Sequence, residues 1–170
     1  VSHVPSLMLS EAEGSPLRSA RESAVRALRE LGRRARERSV STFVVFDTHW
    51  LVNSGYHINC APGFSGIYTS NELPHFIKNM SYAYRGNPQL GKLMADVATE
   101  DGVRTRAHDD TSLTLEYGTL VPMRYMNPDQ HFKVVSISAL CTVHNLADSA
   151  RLGRSVRRAI EERYDGNVAI

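Results

Sequence analysis

The run Thr42-Phe43-Val44-Val45-Phe46 constrains the fold more than any other stretch of this chain. Its residues favour β-structure and are apolar without alternation, so the strand it forms should be buried on both faces, as in sheets covered by helices. The residues before it, 16–38, carry Leu17, Ala20, Ala24, Ala27, Leu28, Leu31 and Ala35 at spacings of three and four. That is the period of an amphipathic helix. Ser15 suits its N-cap and Pro16 its first helical position. Further along, 56–59 alternates as a short strand, and 88–100 reads as a helix with Asn87 as N-cap and Gly102 beyond its end. A short strand at 103–107, a short apolar helix at 118–126 despite Pro122, a strand at 132–137 and a long amphipathic helix at 146–164 follow. Residues 168–170 open another strand. The stretch 61–87, rich in turn residues, reads as mostly irregular and as cover for a site. Helices alternating with buried strands indicate one α/β domain over 1–170, with a mostly buried mixed or parallel sheet flanked by helices.

Charge excludes some functions. Lys and Arg number 20 and Asp and Glu 18, a formal net charge of +2, which does not suggest a nucleic-acid partner. The basic run at 33–38 contains Glu37 and reads as a solvated helix face. No apolar stretch approaches the roughly 20 residues that span a membrane, and no signal peptide is evident. Cys60 and Cys141 make no disulfide framework and read as reduced, buried thiols. These features point to a cytoplasmic protein. The chain begins at Val1 and stops within an apolar run at Ile170, so it is expected to be the N-terminal portion of a longer domain.

Seven histidines are candidates for chemistry. In open α/β sheets ligands bind outside the carboxyl ends of the strands. His49 lies three residues beyond Phe46, at the mouth of the most apolar strand. His3 lies in Ser2-His3-Val4-Pro5, where proline forces an extended or turning chain. Two such imidazoles could converge on a metal, and imidazole suits zinc, copper, iron and nickel alike. Strand-end histidines more often serve structure, so spacing alone leaves both readings open.

Longer motifs narrow the choice. Val45-Phe46-Asp47-Thr48-His49-Trp50-Leu51-Val52-Asn53, Tyr56-His57-Ile58-Asn59-Cys60-Ala61, Tyr68-Thr69-Ser70-Asn71-Glu72-Leu73-Pro74-His75-Phe76 and Leu115-Glu116-Tyr117-Gly118-Thr119-Leu120-Val121-Pro122-Met123-Arg124-Tyr125-Met126 resemble the class III extradiol ring-cleaving dioxygenases. The similarity is greatest to members acting on homoprotocatechuate (3,4-dihydroxyphenylacetate), and it runs over essentially the whole chain. It implies the fold of that family with the C-terminal part missing. It also implies meta cleavage of a catechol by O₂ in aromatic-compound catabolism, with Fe(II) as cofactor; Mn(II) accepts the same ligand set. By the same resemblance His3 and His49 are metal ligands, while the third ligand, a glutamate, and an acid/base histidine fall beyond Ile170. The partners implied are a small aromatic diol and O₂, with assembly as a homo-oligomer. The alternative is an inactive or non-enzymatic, metal-poor domain of the same fold that acts as an interaction module.

Five further residues are candidates for the pocket or the shell behind the ligands. Asp47 either orients a metal-bound imidazole or caps the turn after its strand. Glu116 either caps the following helix or faces the pocket. Related enzymes often carry Asp-His-Gly where this chain has Glu116-Tyr117-Gly118, which puts a proton-transfer role for Tyr117 in doubt. His57 on its strand, and His144 after the strand at 132–137, could reach the pocket. His75 could line a lid, His108 and His131 read as surface residues, and Arg124 reads either as a substrate-carboxylate contact or as a salt-bridge partner.

Overall fold

The structure is a computed structural model that describes residues 1–11, 14–16, 18–140 and 145–170, without the side chains of Leu9, Ser10 and Leu140. A short 3₁₀ helix, Pro5–Glu11, precedes helix α1, Arg18–Glu37, and strand β1, Thr42–Val52. Strands β2 (Tyr56–Asn59), β3 (Gly63–Tyr68) and β4 (Met80–Arg85) come next, then α2 (Pro88–Glu100) and β5 (Thr105–His108). Helix α3 (Tyr117–Met126), β6 (Lys133–Leu140), α4 (Leu146–Arg163) and β7 (Val168–Ala169) complete the order.

The main sheet has the order β5-β2-β6-β1-β7. Strands β6 and β7 flank β1 in parallel, β2 pairs with β5 in parallel, and β2 meets β6 antiparallel. The sheet is therefore mixed, as the sequence suggests. Two cores lie on its two faces. One gathers Leu7, Val25, Leu28, Phe43, Leu120 and Phe132 with α1 and α3. The other gathers Val44, Ile58, Leu90, Met94, Ile137, Leu152 and Val156 with α2 and α4. Phe43 and Val44 belong to opposite cores because side chains of a strand alternate between faces. Burial on both faces holds for Thr42, Phe43 and Val44 but fades towards the strand's carboxyl end, where Phe46 is 42% exposed and lines a cleft.

Local signals set several boundaries. The Asn87 side chain accepts a hydrogen bond from the Leu90 amide at 3.2 Å, capping α2 as expected. Its amide also donates to Thr42 Oγ1 and Tyr164 Oη, tying α2 to β1 and to the end of α4. Pro122 is accommodated within α3. Gly32 lets α1 cross α3 closely: a Cβ there would lie 2.1 Å from the Met126 carbonyl oxygen.

The stretch expected to be irregular instead holds β3 and β4, an antiparallel two-stranded sheet registered from Gly63↔Arg85 to Tyr68↔Met80. Phe64, Met80 and Tyr84 anchor it in the α1–α3 core. Gly63 and Gly66 interrupt the alternation in β3 and hide its period. His108, expected at the surface, is half-buried because β5 pairs with β2. His131 is exposed, and Cys60 is buried as expected.

Replacing Gly32 by alanine should force α1 and α3 apart. Overpacking of this kind costs about 1–3 kcal/mol. Urea denaturation should show that loss with little change in slope, whereas an unchanged midpoint would contradict the close crossing.

Candidate active site

The site begins with an interruption in β1. Its register with β6 runs without a break from Thr42↔Lys133 to Asp47↔Ser138, then resumes at Leu51↔Ala139. Thr48, His49 and Trp50 thus have no partners on β6. Extra residues on one strand bend it and re-aim its side chains.

Asp47 holds the start of this excursion. It is 1% exposed, and its Oδ1 accepts the backbone N–H of His49 at 2.9 Å. Its Oδ2 accepts the Thr119 hydroxyl at 2.6 Å. The carboxylate lies over the first turn of α3, where unpaired amides carry partial positive charge. Only glycine fits beneath it, since a Cβ on Gly118 would come within 2.2 Å of Oδ1. Of the two roles weighed for Asp47, the observed contact is with the turn: its hydrogen bond to the His49 amide fixes that backbone.

His3 reaches the same place from the N-terminus. Pro5 starts the 3₁₀ helix, Leu7 is buried, and its carbonyl accepts the Tyr125 hydroxyl from α3 at 3.2 Å. The His3 and His49 rings come to rest with centroids 5.1 Å apart. Both are half-buried. Burial, followed by the neighbouring His3, pushes the His49 pKa down against the opposing pull of Asp47 and Glu72. The neutral imidazole is the form that binds metal. The donor chemistry therefore fits a divalent transition metal in two of its positions. Among the described residues no group of three His, Cys, Asp or Glu side chains is assembled to complete such a site.

Beside His49 opens a cleft of about 380 Å³, walled by Tyr68, Glu72, Glu116, Tyr117 and the residues linking β3 to β4. The Tyr117 ring packs on His49 with centroids 3.8 Å apart, and its hydroxyl donates to Glu72 Oε2 at 3.3 Å. Tyr68 donates to Glu116 Oε2 at 2.8 Å. Glu116 does stand at the N-cap of α3, where its carbonyl accepts from Leu120, but its side chain makes no capping bond and turns to the cleft. Burial, and then the charges of Asp47 and Glu72, raise the Glu116 pKa, opposed by the Tyr68 hydrogen bond. Burial and Glu72 push the Tyr117 phenol up to about 12. Tyr68 and Glu72 are absent from the candidates read from the sequence; their place in the loop-rich stretch and in the motif 68–76 was the available signal.

Other candidates lie elsewhere. Arg124 pairs with Glu11 through two contacts of 2.7 Å, in a separate cleft lined by neither His3 nor His49. His75 is exposed, its ring tilted against that of Phe76 with centroids 4.4 Å apart. His57 binds His108 rather than His3 or His49. His144 lies outside the described residues.

Comparison with known proteins adds to this geometry. Residues 1–170 match the family described as the catalytic LigB subunit of aromatic ring-opening dioxygenase. The chain belongs to this family. It is 59% identical over its 170 residues to the Escherichia coli 3,4-dihydroxyphenylacetate 2,3-dioxygenase, and it spans 61% of that protein's length. A crystal structure of an uncharacterized Escherichia coli K12 protein shares the fold, with a TM-score of 0.58 at 17% identity, over 85% of this chain and 50% of that one.

The raised Glu116 pKa has a consequence for stability. When the folded-state pKa exceeds the unfolded value, the ionised form is disfavoured by folding. That cost is fully present above the folded pKa and fades as pH falls towards 4.5. Glu116→Gln removes it. The stability of the unmodified protein relative to this variant should therefore rise between neutral pH and 4.5. A pH-independent difference in urea midpoints would contradict the assignment.

Proposed function

We propose that this chain supplies two of the metal ligands of an Fe(II)-dependent extradiol dioxygenase that opens the ring of 3,4-dihydroxyphenylacetate beside its diol. The observation that carries this reading is the approach of His3 and His49, 5.1 Å between ring centroids, beside a walled cleft. The identity to a protein named for that reaction supports the choice of substrate.

His3 and His49 would hold the ion through neutral imidazoles, with a glutamate outside these 170 residues as third ligand. Two histidines and one carboxylate suit Fe(II) and leave positions open; Mn(II) is the alternative ion. Bound there, the metal supplies a centre at which a catechol and O₂ meet and exchange electron density.

The remaining work belongs to side chains. Asp47 and Gly118 keep the His49 backbone in place, and Tyr117 covers one face of its ring. Glu72 and Glu116 already accept tyrosine hydroxyls and, as carboxylates, retain lone pairs for a diol hydroxyl. The reading includes a cytoplasmic homo-oligomer; no helix among the described residues is long and apolar enough to cross a membrane.

The test mixes the full-length protein, loaded anaerobically with Fe(II), with 3,4-dihydroxyphenylacetate and then O₂. A yellow ring-opened semialdehyde should form and should be lost in His49→Ala. Folded, iron-loaded protein that yields no product would overturn 3,4-dihydroxyphenylacetate as the substrate; failure with other catechols as well would leave an interaction module of the same fold. The 170-residue chain alone should show little ring cleavage, because two imidazoles retain Fe(II) less firmly than a full triad; full turnover would contradict the incomplete ligand set.

A further inference from the structure

A second pair of imidazoles sits on the other side of the β1 excursion. His57 on β2 and His108 at the end of β5 are both half-buried, with ring centroids 4.7 Å apart. His57 Nδ1 and His108 Nε2 approach to 3.0 Å. The rings are closer than a head-on contact of that length would place them, so the two nitrogens meet at a bend. Trp50, the one tryptophan of the sequence, lies 6.2 Å from the His57 ring and 6.1 Å from the His108 ring.

The partners fix the tautomers. His57 Nε2 faces the Ser54 carbonyl oxygen at 3.3 Å. A carbonyl only accepts, so this nitrogen carries the proton and Nδ1 presents a lone pair. The single proton between the rings is then on His108 Nε2. Burial lowers both pKa values, which keeps both rings in the neutral, ligating form. Arg106 opposes a cation at both rings, whereas Asp109 and Asp110 favour positive charge at His108.

We propose that His57 and His108 form a second divalent-cation site, separate from His3 and His49, with a preference for Cu(II) or Ni(II). The spacing carries the preference. Imidazole nitrogens bind such ions at about 2.0–2.1 Å. Two donors 3.0 Å apart then subtend roughly 90° at the ion. That is the cis angle of the square-planar or tetragonal sites of Cu(II) and Ni(II). Tetrahedral Zn(II) would need its nitrogens roughly 3.4 Å apart. The ion sits off the line between the two nitrogens, about 2 Å from each; it displaces the shared proton, which moves to His108 Nδ1, and both rings remain neutral. Water completes the coordination, since no third His, Cys, Asp or Glu joins the pair among the described residues.

The test titrates Cu(II) into the full-length protein carrying His3→Ala and His49→Ala, which removes the first imidazole pair. Electron paramagnetic resonance should show coupling to two nitrogens. Adding His57→Ala or His108→Ala should abolish the two-nitrogen pattern and weaken binding by roughly tenfold or more. His108→Gln, whose amide can still donate to His57, should lose the pattern while the circular dichroism spectrum stays unchanged, separating ligation from folding. A two-nitrogen spectrum that survives loss of either histidine would overturn the site. A Cu(II) spectrum with the small parallel hyperfine splitting of a tetrahedrally distorted site would overturn the tetragonal geometry.

Discussion

A buried carboxylate packed against the first turn of a helix organises this end of the molecule. Asp47 would be costly to bury alone. Here the Thr119 hydroxyl, the His49 amide and the amino end of α3 surround it, and the bare Cα of Gly118 gives it room. The same contacts anchor α3 over the carboxyl end of β1. Because α3 also presents Tyr117 to His49 and Tyr125 to the segment after His3, one electrostatic contact sets the relation between both imidazoles and the cleft wall.

The excursion in β1 then distributes side chains to two sides. His49 turns towards His3 and Tyr117, and Trp50 turns towards His57 and His108. A regular strand would also alternate these neighbours, but it would keep them within the ladder to β6. Leaving Thr48, His49 and Trp50 without partners on β6 lets them bulge from the ladder towards the carboxyl end of β1, the end at which open α/β sheets place their ligands. Two half-buried imidazole pairs thus share one backbone irregularity while drawing on different strands.

The framework was largely legible because its signals are local. The helical period before β1, the unbroken apolar run 42–46, the Asn87 cap and the strand at 132–137 each reflect one element's own local preference, although Leu31 and Phe46 lie exposed. His3 and His49 stood out through strand-end position and motif, and the structure brings them together. What stayed hidden depends on partners distant in sequence. The glycines of β3 conceal its alternation, and only pairing with β4 and burial of Phe64 define the strand. His108 ends a strand too short to advertise an inward face, and its partner His57 is 51 positions away. Glu116 could be read as a helix cap because its backbone is one; its side chain turns to Tyr68, a contact no local pattern encodes.

Under the proposed function, Asp47 holds His49 in position for a metal shared with His3. Anaerobic calorimetry of Fe(II) binding to the full-length protein and its Asp47→Ala variant tests it most directly. Loss of a group that supports a metal ligand typically costs 10–100-fold in affinity. A loss of roughly that size, with the circular dichroism spectrum unchanged, is the expected result. Equal affinity in the folded variant would show that His49 finds its place without Asp47, and would contradict the claim.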